Sequence, residues 1–102
     1  MSSGSSSSSA YDYYVGGTLT PDATGYYSVN GTFEGNPAYE RVGGGYWLWF
    51  DSGVHFNYGW SISVSKGDDV NVWNNGSVNI LGDPYYPVAP PDVTGNASVI
   101  KA

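Results

Sequence analysis

Apolar residues recur at every second position in several short stretches, and turn-forming residues break each stretch before a helical period can develop. In "WSISVS", residues 60–65, Trp60, Ile62 and Val64 alternate with Ser61, Ser63 and Ser65, the pattern of a half-buried strand with a plain solvent face. "YDYYVGGTLT" reads as a β segment weakened by Gly16 and Gly17 and ended by Thr20-Pro21-Asp22. "GYYSVNGTF" follows, and its Asn30-Gly31 pair predicts a two-residue type I′ hairpin turn, or else a bulge at Gly31 inside a longer strand. A turn at Gly35-Asn36-Pro37 leads into a short strand ending at Val42, and Gly43, Gly44 and Gly45 make a tight turn or hinge. "VNVW" and "VNIL" read as two short strands around Asn74-Asn75-Gly76, "DPYYPVAPP" as extended or loop, and "VTGNASVIK" as a closing strand.

The densest apolar stretch is "YWLWFDSG", residues 46–53. On an extended chain Tyr46, Leu48 and Phe50 share one face and Trp47 and Trp49 the other. Both faces are then apolar, although one face of an antiparallel sheet commonly meets water. The Trp47/Trp49 face needs a cover: the N-terminal tyrosines, a loop such as "PYYPVAPP", another subunit, or a ligand. Short strands at intervals of roughly ten residues are the spacing of an all-β domain, a small antiparallel sandwich or barrel of about seven or eight strands.

Composition sharpens this picture. The chain of 102 residues carries 15 Gly and 6 Pro, and 17% of it is aromatic. Rings therefore fill the core of a domain short of aliphatic side chains. Residues 1–10, "MSSGSSSSSA", bury nothing and read as a flexible arm or a tag, leaving 11–102 as a single domain. Three basic residues against nine acidic give a net charge of −6, which argues against nucleic acid as a partner. With no cysteine there is neither a disulfide framework nor a thiolate metal site. No apolar run approaches a membrane span, and the start of the chain has no signal-peptide pattern.

Candidate chemistry is thin. His55 lies near Asp51 and Ser52, but three triad members within one loop rarely reach relay geometry. Glu34, Glu40 and Asp51 could supply a glycosidase pair, yet nothing in their spacing makes them converge. Asp68, Asp69 and Asp83 lack the spacing of a calcium loop, and no metal or other cofactor is expected. Asn30-Gly31-Thr32, Asn75-Gly76-Ser77 and Asn96-Ala97-Ser98 match the glycosylation acceptor pattern and read as turn residues. The sequence therefore points away from an enzyme.

The succession "NGTFEGNPAYERVGGGYWLWFDSG", then "WSIS", then "VNVW", resembles a small glycine- and aromatic-rich module that recurs in tailed-bacteriophage structural proteins and in uncharacterised environmental bacterial proteins. The likeness runs from about Val15 to Val99. It implies a virion or appendage-associated structural module without enzymatic activity, a decoration or fibre-type accessory assembled in the host cytoplasm, packing against itself or a capsid lattice. On that reading the Trp47/Trp49 face is buried between chains. The competing expectation is a carbohydrate-binding module, because sugars stack their C–H faces on exposed rings. Trp47, Trp49, Asp51 and Tyr58 are the candidate contacts with a glycan or partner.

Overall fold

The computed structural model describes residues 11–53, 58–67, 72–82, 84–88 and 93–102. The expected arm, His55 and the carboxylates Asp68, Asp69 and Asp83 lie outside the described residues. The fold is all-β: strands β1 (Tyr13–Thr20), β2 (Gly25–Phe33), β3 (Asn36–Arg41), β4 (Trp47–Asp51), β5 (Gly59–Ser63), β6 (Trp73–Asn74), β7 (Tyr86–Pro87) and β8 (Thr94–Lys101). They form one antiparallel sheet in the order β7-β6-β5-β4-β3-β2-β1-β8. Tyr85, just before β7, exchanges two backbone hydrogen bonds of 2.9 Å with Ala97 of β8. That single bridge brings the two ends together, so the sheet curls into a nearly closed barrel, which removes most of its open edge.

The registers assign the side chains to two faces. Tyr13 faces Tyr27, Val15 faces Val99, Tyr39 faces Leu48, and Leu48 faces Ile62, which in turn faces Trp73. These positions point inward and, with Leu19, Phe50, Trp60, Tyr85 and Ala97, build the core, against which Tyr13 and Tyr39 are partly buried. Its polar atoms find partners: the Tyr27 hydroxyl donates to the Ala23 carbonyl and the Trp60 indole to the Val78 carbonyl. Arg41, also on an inward position, donates to the Thr24 and Gly44 carbonyls and ties the end of β3 to the turns beside it.

Four local expectations resolve differently in the structure. Asn30-Gly31 is not the hairpin turn: β2 runs through it, and the register slips between Val29 and Thr32, with Gly31 at φ +83°. This is the bulge. The two-residue turn falls instead at Glu34-Gly35, both at positive φ (52° and 83°), so Asn36 and Pro37 already belong to β3. "VNIL" is not a strand. There the Asn75, Ser77 and Asn79 side chains accept from the backbone N–H groups of Ser77, Asn79 and Leu81, each two residues on, and these contacts curl the chain into turns. The serines of "WSIS" do not meet water either, since Ser61 and Ser63 are both buried.

Candidate interaction surface

The outer face of the sheet divides into two regions. Over β3, β4 and β5 the chain covers its own apolar surface. Trp47 stands opposite Ser63 and Trp49 opposite Ser61, so each indole has a small neighbour across the strand. Trp49 is 0% exposed, its indole N–H donates to the Ser63 hydroxyl at 2.8 Å, and that hydroxyl donates on to the Ser65 carbonyl. The Phe33 ring meets Trp49 edge-on at 5.0 Å. The bulge at Gly31 makes this possible: an extra residue in β2 reverses the alternation beyond it, so Phe33 points outward where an unbroken strand would turn it inward. The strand between them carries the small, buried Ala38 on the outward position. Trp47 is half-buried, with the Lys66 ammonium 4.6 Å from its ring centre and also reaching the Thr32 carbonyl.

The four residues expected from the sequence are therefore not one surface. Trp49 and Asp51 lie inside the chain, Asp51 being 1% exposed with Oδ1 accepting from the Gly53 N–H. Neither offers area to a glycan or a neighbour, because the second tryptophan face already has its cover within the chain. Tyr58 is 51% exposed, but its ring packs edge-on against Phe50, an inward residue, and so sits away from Trp47 and Trp49. Of the four, Trp47 and Tyr58 alone keep an accessible side, at separate places.

Over β8, β1, β2 and β3 the outer face is open. Ile100 pairs with Tyr14 and Tyr14 with Tyr26. The Val42 N–H donates to the Tyr26 carbonyl, which continues the row. Four neighbouring chain segments thus place Ile100, Tyr14, Tyr26 and Val42 side by side, with Ile100 56% and Tyr26 46% exposed. The Tyr11 ring stacks on Tyr26 at 4.8 Å and 30°, and Tyr14 meets Tyr26 at 4.9 Å and 62°. Tyr14 also leans along its own strand, so that a side chain at Gly16 would meet its ring at 3.2 Å. Beyond it the paired rows Gly16–Ser98, Thr18–Asn96 and Thr20–Thr94 are uncharged. Sequence reasoning passed over this row, although "YDYY" and "GYY" held the signal: in any strand, one of two adjacent tyrosines points outward.

Beside Tyr26 and Val42 lies an open groove of about 520 Å³, lined by Ser28, Asn30, Glu40, Val42 and the backbone of Gly43 and Gly44 among others. The Asn30 amide donates to the Glu40 carboxylate at 2.8 Å. Of the other candidate carboxylates, Glu34 likewise accepts from the Ser52 hydroxyl and Asp51 from the Gly53 N–H. Among the described residues no group of three or more His, Cys, Asp or Glu could hold a metal ion. Among them, too, no helix is long and apolar enough to cross a membrane. No family model, curated protein or solved structure matches the chain.

Proposed function

We propose that the chain is a non-catalytic structural and interaction module that packs against further copies of itself, in the manner of a virion accessory, through the tyrosine row of β8, β1, β2 and β3. The observation that carries this reading is the uncharged run Ile100–Tyr14–Tyr26–Val42, exposed at Ile100, Tyr26 and Val42, half-buried at Tyr14 and stacked with Tyr11, on a chain of net charge −6. Like-charged copies repel, so they approach best where rings and hydroxyls dominate and the flanking carboxylates of Asp12 and Glu40 already accept from the Val29 N–H and the Asn30 amide. Tyrosine suits such a contact because it buries a large ring while its hydroxyl keeps a hydrogen-bond partner. Five side chains make a small patch, so each contact is weak, and repetition across a lattice supplies the strength.

The test is light scattering over a range of concentrations on the wild type and on Tyr14→Ser/Tyr26→Ser. The wild type should associate and the folded double variant should stay monomeric. Equal association by both refutes the proposal.

A second reading, binding of a neutral polyhydroxylated ligand such as a glycan, is favoured by the groove beside Tyr26, where Ser28, Asn30 and Glu40 offer donors and acceptors next to an exposed ring. A glycan panel titrated into labelled protein should then move the amide resonances of residues 26–30 and 40–44. A flat response across the panel removes this reading.

A further inference from the structure

We propose that Asn30 is a site of spontaneous covalent modification, its side chain cyclising onto the backbone nitrogen of Gly31. The chain contains two Asn-Gly steps, Asn30-Gly31 and Asn75-Gly76. In both, the following glycine leaves the attacking nitrogen unshielded by a Cβ. The fold treats them oppositely.

Asn75 is held on every side. Its Oδ1 accepts from the Trp60 N–H at 3.0 Å and the Ser77 N–H at 2.9 Å, and its amide nitrogen donates to the Asn79 carbonyl at 2.8 Å. The Gly76 N–H, which would have to attack, is given to the Asn74 Oδ1 at 2.7 Å. Cyclisation there means breaking these contacts together. Asn30 and Gly31 are both exposed, and among the described residues the Asn30 side chain makes one hydrogen bond, from its amide nitrogen to Glu40 Oε1. Its carbonyl oxygen is free to swing. Gly31 occupies the bulge at φ +83°, and the Lys66 ammonium stands 3.9 Å from where its Cβ would be. A cation this close to the Gly31 backbone favours loss of the amide proton and the negative charge that forms on attack.

The reaction balances with water alone. The Gly31 nitrogen gives its proton to solvent and bonds to Asn30 Cγ. The bond from Cγ to the amide nitrogen breaks, and ammonia departs with a proton from water. Water then opens the cyclic imide at either carbonyl, leaving an aspartyl or isoaspartyl residue at position 30, and no electron is transferred.

The product acts on the covered region of the sheet. A hydrogen-bond donor facing Glu40 becomes a second carboxylate, and the isoaspartyl form adds a backbone atom to β2 just before the bulge that turns Phe33 toward Trp49. The groove gains charge and the packing over Trp49 loosens.

The experiment incubates the full chain at mildly alkaline pH and follows each asparagine by peptide mapping, with released ammonia measured in parallel. Breaking several hydrogen bonds at once should slow Asn75 about a hundredfold relative to Asn30. In denaturant the two steps should react at similar rates. The modified folded chain should show red-shifted tryptophan emission, and Asn30→Gln, whose longer side chain closes a less favourable ring, should release no ammonia on that timescale. Similar rates at the two steps in the folded chain, or Asn75 reacting first, overturn the proposal. So does a ratio that persists in denaturant, because the selectivity would then owe nothing to the fold.

Discussion

The two halves of the outer sheet surface carry similar side chains and meet opposite fates. Over β4 the Trp49 ring lies among small neighbours and is closed over by the chain, with Phe33 beside it, and Trp47 is half-buried beneath Lys66. Over β1 and β2 the rings of Tyr14 and Tyr26 stand side by side with bulky neighbours on both flanks and stay accessible. Ring content alone does not decide whether a sheet face seeks a partner. What separates them is the size of the cross-strand neighbours, serine and alanine leaving room for an indole to be covered where tyrosine and isoleucine crowd the face.

This contrast can be broken most sharply at Trp49. Trp49→Ala should lower stability by about 3 to 5 kcal/mol, the usual loss for a buried aromatic, read by chemical denaturation. A change near zero would place Trp49 at the surface.

Alkaline pH should separate core from surface next. Burial pushes the Tyr39 hydroxyl up to about 12, with Tyr13 adding to the effect, and raises Tyr27 further despite the nearby Arg41. Each folded-state value lies above the ordinary tyrosine value of 10.0. The stabilisation is therefore complete below that pH, declines above it as the unfolded chain ionises first, and is spent once pH passes the folded-state value. Denaturation midpoints should fall between pH 10 and 12, and Tyr39→Phe should flatten the fall. A wild-type midpoint constant across that window contradicts the burial of these rings.

Ser63→Ala should lose about 1 to 2 kcal/mol, since it strips the Trp49 indole of its acceptor. Full stability in that variant would mean the indole bonds elsewhere. Tyr14→Ser/Tyr26→Ser should change stability by less than about 1.5 kcal/mol, the worth of the ring pair, while its association is lost. Lys66→Ala should have the smallest effect, under about 1 kcal/mol, together with a change in Trp47 emission. In the covered half a lost ring weakens the fold, and in the open half it weakens assembly.

Much of this fold was legible in residue order. Alternation in "WSIS" and "YWLWFD" located β5 and β4 and their two faces, because a period of two leaves little freedom once one face is apolar. The rest depended on contacts that sequence spacing does not carry. Serines 61 and 63 look like a solvent face until Trp49 is laid across them. Asn30-Gly31 carries the stronger hairpin signature and accommodates a bulge as the alternative, and the turn falls instead at Glu34-Gly35, a pair with a weaker turn signature. "VNIL" has apolar content fit for a strand, but alternating Asn and Ser side chains intercept the amides that a ladder would need. An outward tyrosine in each of "YDYY" and "GYY" was legible, but the row was not, because its members come from four segments that only the strand order, with β8 beside β1, brings together.

The account rests on Trp49 being covered by its own chain, and exchange of its indole N–H with solvent tests this most directly. Followed by NMR at a dilution where light scattering finds only monomer, that proton should exchange slowly, held against Ser63. Fast exchange in the dilute monomer, slowing only as chains associate, would put the cover on a neighbouring molecule and contradict the division of the surface described above.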